Sequence, residues 1–385
     1  MAYQTLGSLS YERQVTPLWL DCDPGHDDGV ESNNDEKDAF AILLAAHHPS
    51  LKLLGISTVH GNSSLQNTTF NAGSILEAIG RSDIPVYPGA AKPFCRAAVH
   101  APDIHGVSGL DGTDLLPAPT RPPMESSNAI VAMRDALLSQ PKNTAWLVAT
   151  GALTNVGLLF ATYPEVAEHV RGVSIMGGAI GGGFSDAPIC KRCDPESAQS
   201  IFSSQVLASK TVLIPLDLTH QVLCTPKVQS LILQTEPQLA ENGNGVSRPP
   251  SVLRQILHAL LIYFRNTYEN VFGLETGPPL HDPVAVAVLL SNLNSINDGS
   301  KHLDFLRFDD REGERFIVDV VTDGQHGSGP ELTGKVGRTH ASLLERGKPG
   351  VTIPRGVDVD AFWNLVLDCL QRADDWNASR AINQN

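Results

Sequence analysis

The sequence predicts a mainly parallel, Rossmann-like α/β fold with helices on both faces of a central sheet. Two observations carry this. Short β-branched apolar runs alternate with longer helical patterns, a rhythm of βαβ units, and the segments between the runs carry helical spacing. The runs are TPLWLD (16–21), KLLGISTV (52–59), AWLVAT (145–150), VRGVSIM (170–176) and TVLIPLDL (211–218). Between them, LQNTTFNAGSILEAIG (65–80) and SNAIVAMRDALLSQ (127–140) space their apolar residues three and four apart, and the first ends in a glycine suited to a helix C-cap. RFIVDVVT (315–322) reads as a further strand, and residues 252–270 as a helix after the polar, Gly/Pro-rich stretch 236–251. No internal repeat is evident, so a single domain over 1–385 is expected, with a core from about 16 to 372 and flexible tails at 1–15 and 373–385.

The 385 residues, 42% of them hydrophobic, suffice for a sizeable core. A formal net charge of -14 argues against binding nucleic acid or an anionic membrane surface and favours a small neutral substrate. Six scattered cysteines read as reduced thiols, and the pair Cys190 and Cys193 is half of a zinc site without its other half. The opening MAYQTLGSLSYERQVTP lacks a basic flank followed by an apolar run, and no stretch of about 18 apolar residues occurs. A cytoplasmic protein is expected.

The most informative segment is LWLDCDPGHDD (18–28), where an apolar strand runs into Asp21, Asp23, Asp27 and Asp28. In a parallel sheet the carboxyl ends of strands are where ligands bind. Pro24 and Gly25 impose a sharp turn there, and clustered carboxylates of this kind suit Ca²⁺ or Mg²⁺ rather than a softer metal. The bland reading is a solvated acidic loop, which placement directly after a buried strand disfavours. Haloacid dehalogenase-like phosphatases also run from a strand into two aspartates one residue apart, but a Thr or Val is expected two places after the second, where this chain has Gly25.

DCDPGHDD resembles the signature of the inosine–uridine-preferring nucleoside hydrolases. Further matching blocks follow in order: TVHGN (58–62), GALTN (151–155), IMGGA (175–179), LDLTHQ (216–221), HDPVAVA (281–287) and a last helix at VDVDAFWNLVLDCL (357–370). The resemblance implies a nucleoside hydrolase fold, a bound Ca²⁺, and cleavage of the bond between nucleobase and ribose in uridine- or inosine-type nucleosides for salvage, by a homodimer or homotetramer. It implies Asp23 as metal ligand and general base, Asp28 and Asp282 as further carboxylate ligands, and Thr154 as a ligand through its carbonyl. Asp27 would accept a hydrogen bond from a ribose hydroxyl, Asn62 would sit beside the sugar, His281 would protonate the departing base, and His105 would lie near the base. Thr154 and Asn155 also read as helix caps. Tyr263, Phe264 and Tyr268 read as core or as a stacking surface for a base, and His26 as lining the site.

The chemistry agrees with these roles. Breaking an N-glycosidic bond builds positive charge on the ribose, which an anionic pocket stabilises more than it does the neutral substrate. Two departures from the family pattern fall on the site. GVESNNDEKD (29–38) interrupts the passage from Asp28 into DAFAILLAA (38–46), so either Asp28 or Asp38 is the second carboxylate ligand; spacing to Asp23 and Asp27 favours Asp28. The segment IGGGFSDAPICKRC (180–193) lacks the Glu-Phe-Asn run that grips ribose hydroxyls in relatives, and only Asp186 offers a carboxylate there. A catalytically impaired nucleoside- or Ca²⁺-binding remnant is therefore the alternative.

Overall fold

The structure, a computed structural model, describes residues 15–25, 37–97, 113–180, 194–234, 249–263, 276–293, 306–323 and 336–383. Six strands form one parallel sheet: β1 (Thr16–Cys22), β2 (Leu51–Thr58), β3 (Val86–Pro88), β4 (Trp146–Ala149), β5 (Gly172–Met176) and β6 (Thr211–Ile214), in the order β3-β2-β1-β4-β5-β6. The chain winds outward from β1 through β2 to β3, then returns to β4 on the other side of β1 and winds the opposite way. Sheet order thus reverses between β1 and β4, and such a switch point opens a crevice at the strands' carboxyl ends. DCDPG leaves β1 there.

Alternation along β1 assigns its side chains to the two faces. Leu18, Leu20 and Cys22 join the apolar cluster that includes α1 (Asp38–His47), whereas Trp19 joins the cluster beneath α3 (Ala129–Leu138) and α4 (Thr154–Thr162). Asp21 and Asp23 share Trp19's parity. α1, DAFAILLAAH, is buried over its first eight residues because it lies between the sheet, the Asp282–Ala287 helix and the long Val359–Asn383 helix. The helix over Leu65–Ala78, α2, begins at Ser64, whose side chain accepts from the Asn67 amide. It ends at Gly80, whose φ of 75° is the left-handed conformation expected of a C-cap glycine. Asn128 caps α3 by accepting from the amides of Ile130 and Val131.

Some expectations need correction. TVLIPLDL is a strand only to Ile214, because Pro215 lacks an amide hydrogen and Leu216–Thr219 turns into a helix. The strand at 315–322 covers Phe316–Val320 and pairs antiparallel with Thr339–Leu343, outside the main sheet. The expected flexible tail after residue 372 is helix as far as Asn383. Its end is anchored: Trp376 Nε1 donates to Gly80 O at 2.9 Å, Asn377 Nδ2 to Ala78 O at 2.9 Å and Arg380 to Gly80 O at 2.9 Å. Asp374 receives Arg254 Nε at 2.6 Å. No helix among the described residues is long and apolar enough to cross a membrane.

Arg254 is buried, with side-chain exposure of 3%, and Asp374 is its carboxylate partner. Ending the chain at Ala373 strands that guanidinium, and the loss of unfolding free energy is expected to be about 3–5 kcal/mol. Urea denaturation of the truncated and full-length chains measures it; coincident midpoints would show that the helix end contributes nothing.

Candidate active site at the β1–β4 switch point

Asp21 lies on the floor of the crevice, fully buried. Its Oδ1 accepts from Asn155 Nδ2 at 2.8 Å and from the Ser57 hydroxyl, which itself receives Trp19 Nε1 at 2.9 Å. Burial pushes the Asp21 carboxyl up to about 7, against the two hydrogen bonds that favour its charged form. Asn155 also donates to Thr58 O at 3.0 Å and accepts from the Ala90 amide at 2.8 Å. The residue thus ties α4 to β1, β2 and the turn after β3 rather than capping a helix; Thr154 is the first residue of α4, and Leu153 before it offers no side-chain cap.

Asp23 stands above this floor with 4% exposure. Its Oδ2 accepts from the Asn62 amide at 3.0 Å. The carboxylate is wedged between two glycines: a methyl group on Gly61 would come within 1.9 Å of Oδ2, and one on Gly151 within 2.5 Å of Oδ1. Glycine in TVHGN and in GALTN is therefore a requirement of close approach to this one side chain. Asn62, itself buried, holds Asp23 through its backbone.

Asp38 joins this group. It is fully buried as the first residue of α1, its Oδ2 accepts from the Asp23 amide at 3.1 Å, and its Oδ1 accepts from Thr150 Oγ1 at 2.6 Å. On the far side, His281 and Asp282 begin the Asp282–Ala287 helix, with exposures of 0% and 1%. The convergence is registered by Cys22, whose thiol is pushed well up by burial and then by the charges of Asp38, Asp21, Asp23 and Asp282. Among the described residues, however, no three carboxylate, imidazole or thiolate groups already stand as a metal cage. The donor set, buried carboxylates and backbone carbonyls with no thiolate among the assigned ligands, fits a hard cation in type.

His281 Nδ1 lies 2.6 Å from Thr219 Oγ1, and its ring stacks on His220 at 5.4 Å. Burial, then the charges of Lys37 and His220, holds His281 well below its ordinary value. His220 is lowered to about 4 by burial and by Lys37. Both rings are therefore neutral at pH 7.

Sequence reasoning missed a second buried network. Asp194 Oδ2 accepts from Thr154 Oγ1 at 2.6 Å, Ser197 Oγ at 2.8 Å and the Phe94 amide at 2.9 Å, while Oδ1 accepts from the Ser197 amide at 3.0 Å. Because the Thr154 hydroxyl gives its proton to Asp194, His60 Nε2, 3.1 Å away, is the donor toward Thr154 Oγ1. The signal was present in DPES (194–197), an acidic N-cap followed by proline at the first helical position. Lys37, Thr219 and His220 were also not singled out.

Of the residues expected at the site, the structure gathers Asp23, Asp38, Asn62, His281 and Asp282 around the crevice, with Thr154 three residues beyond Gly151. His26, Asp27, Asp28, His105, Asp186, Cys190, Cys193, Phe264 and Tyr268 lie outside the described residues. Tyr263 is the last residue of its helix.

A buried acidic crevice at the switch point of a doubly wound sheet is the arrangement of an α/β enzyme that acts on a small ligand. The profile of the family "Inosine-uridine preferring nucleoside hydrolase" matches residues 18–364, and the chain belongs to that family: it is a hydrolase acting on N-glycosyl bonds of ribonucleosides. It is 36% identical over 369 residues to the uridine nucleosidase of Saccharomyces cerevisiae, covering 93% of this chain and 96% of that one. It is 34% identical to a probable ribonucleoside hydrolase of Dictyostelium discoideum, over 93% and 95% of the two chains. Among solved structures, the purine-preferring ribonucleoside hydrolase from Gardnerella vaginalis superposes with a TM-score of 0.68 at 23% identity, covering 93% of this chain and 99% of that one. The haloacid dehalogenase-like alternative has no remaining support.

The fit of Asp23 between the two glycines generates a prediction. Gly61→Ala is expected to fold but to displace the carboxylate, and a misplacement of about 1 Å costs on the order of 100-fold in rate. Steady-state ribonucleoside hydrolysis measures it, with Gly356→Ala, where an added methyl meets nothing closer than 3.8 Å, as control. Wild-type rates from Gly61→Ala would mean that the position of Asp23 does not matter to turnover.

Proposed function

We propose that this chain is a Ca²⁺-dependent ribonucleoside hydrolase that splits uridine- or inosine-type nucleosides into base and ribose for salvage. The observation that carries the reading is the burial of Asp23, Asp38 and Asp282 at one switch point, where three carboxylates are costly without a cation between them. In this reading the chain folds as one domain, and the active enzyme is a cytoplasmic homodimer or homotetramer.

Asp23, Asp38, Asp282 and the Thr154 carbonyl would hold the ion, with Asp38 taking the role for which Asp28 was the other candidate. The support for Asp38 is its hydrogen bond from the Asp23 amide. When bound there, such an ion would supply Lewis acidity that favours ionisation of water beside Asp23 and would favour ribose over deoxyribose. Asp23 takes the proton of the water that attacks the anomeric carbon, and its fixed position between Gly61 and Gly151 sets the line of attack. The carboxylates also stabilise the positive charge that grows on the ribose ring. Asn62 lines the sugar side. His281, anchored through Nδ1 to Thr219, is the candidate proton donor to the departing base; since its ring is neutral at pH 7 in this structure, it would have to take up a proton in the occupied site before giving one to the base. Asp27 and His105 remain the candidates for a ribose hydroxyl and the base.

The experiment is release of reducing sugar from uridine and inosine by the purified chain, with Ca²⁺ and with chelator. Activity is expected with Ca²⁺ alone, and Asp23→Ala is expected to lose on the order of 1,000-fold or more, having removed a general base and an ion ligand together. Retained activity in chelator would remove the ion from the mechanism, and Ca²⁺ binding without sugar release from any nucleoside would favour the binding remnant instead.

His281 has its own test. His281→Ala is expected to slow uridine and inosine by about 100-fold or more, while a nitrophenyl riboside, whose leaving group needs no proton, is nearly unaffected. Equal losses on all three substrates would assign His281 to positioning rather than proton donation.

A further inference from the structure

A ligand that acts through its main-chain carbonyl asks nothing of its own side chain, so the threonine at 154 needs a separate physical reason. Thr154 is buried at the first position of α4, and its hydroxyl does not cap that helix. The hydroxyl donates to Asp194 Oδ2 at 2.6 Å and receives His60 Nε2 at 3.1 Å. Both neighbours are buried and held in turn. Asp194 also takes the Ser197 hydroxyl, the Ser197 amide and the Phe94 amide. The His60 amide donates to Ala90 O at 3.0 Å, and the Ala90 amide donates to Asn155 Oδ1 at 2.8 Å. His60, Ala90, Asn155 and Thr154 thus close a ring of contacts around the start of α4. The helix over Pro195–Phe202 presses on the same end: a methyl group on Gly157 would come within 3.0 Å of Ser197 Cβ. His60 directly precedes Gly61, and Thr154 follows Gly151 by three residues. Those are the glycines between which Asp23 is wedged, so the His60–Thr154 hydrogen bond ties together the two walls of the Asp23 slot.

We propose that Asp194 and His60 are positioning residues for the divalent ion: they clamp the Thr154 hydroxyl from two sides and so hold the Thr154 carbonyl and the Asp23 slot in one fixed relation. The proposal rests on the reading that this carbonyl and Asp23 are ion ligands. Calcium–oxygen bonds are about 2.3–2.6 Å long, and helix ends fray, so a carbonyl in a first turn serves as a ligand only if its residue is held. The amide hydrogens of a first turn have no partners within the helix. Here the side chains supply the restraint. Neither Asp194 nor His60 has a ligand role of its own; each acts through Thr154, as the outer partners of metal ligands do when they fix a ligand's orientation. The hydroxyl is the element on which the clamp depends, and valine, close to threonine in shape, lacks it.

The test is calorimetric titration of the full-length protein with CaCl₂, comparing wild type, Thr154→Val, Thr154→Ser, Asp194→Asn and Asp282→Asn, with melting temperatures recorded in chelator. Thr154→Val keeps the carbonyl and loses the hydroxyl, and is expected to bind Ca²⁺ about 10- to 100-fold more weakly than wild type. Thr154→Ser keeps the hydroxyl and is expected to bind as wild type does. Asp194→Asn is expected to weaken binding in the same direction, since an amide offers one oxygen where the carboxylate uses two. A purely structural clamp would lower the melting temperature in chelator and leave affinity unchanged, which would overturn the proposal. A loss in Thr154→Ser equal to that in Thr154→Val would also overturn it, because the hydroxyl would then not matter. Equal affinity in wild type and Thr154→Val, with binding abolished in Asp282→Asn, would overturn it and leave the ion site standing. No Ca²⁺ binding by wild type would overturn both. Should Thr154→Val not fold, Asp194→Asn takes its place, with the same comparison deciding.

Discussion

Mutual repulsion of buried carboxylates is the constraint from which the surroundings of the crevice follow. Asp21, Asp23, Asp38 and Asp282 are taken out of water within one end of one sheet, and each must be hydrogen-bonded, protonated or paired to remain there. The structure uses more than one of these devices. Asp21 sits deepest and is half neutral near pH 7, held by Ser57 and Asn155. Asp23 and Asp38 keep backbone amides as donors, from Asn62 and from Asp23 itself.

These devices depend on topology. A doubly wound sheet leaves its central strands facing an open crevice only where the winding reverses, and β1 and β4 are that pair. The turn after β1 delivers Asp23, the turn after β2 delivers Gly61 and Asn62, and the turn after β4 delivers Thr150 and Gly151. Three neighbouring strand ends therefore build the walls of one side chain's slot. The helix starts at Asp38 and Asp282 close it from the other face, because α1 packs on the Asp282–Ala287 helix.

Much of this was legible because strand ends announce themselves: an apolar run gives way to Asp, Gly and Asn within a residue or two, as in LWLDCD, ISTVHGN and LVATGALTN. The strand β3 was not legible, since three residues at Val86–Pro88 carry no period. Nor was the end of β6, where apolar LDL continues past the proline that ends the strand. At the site, sequence spacing favoured Asp28, which lies outside the described residues, while the start of α1 brings Asp38 to the Asp23 amide. Asp194 went unnoticed because its partners Thr154 and Phe94 are distant in sequence and neither belongs to a motif with it. Lys37 was hidden for a different reason: a lysine in a polar stretch reads as solvated, and only burial reveals otherwise.

The anchoring of the last helix has a bearing on how the molecule comes into being. The carbonyls at the end of α2 receive Asn377 and Arg380 from 299 and 300 residues downstream. During synthesis the sheet's first strands and α2 emerge long before these partners exist, so the N-terminal half must wait, incompletely covered, while the rest is translated. Closure waits until those late residues have left the ribosome. Until then α1, whose Ala39–Ala45 stretch is buried in the finished fold, lacks its packing against the Val359–Asn383 helix.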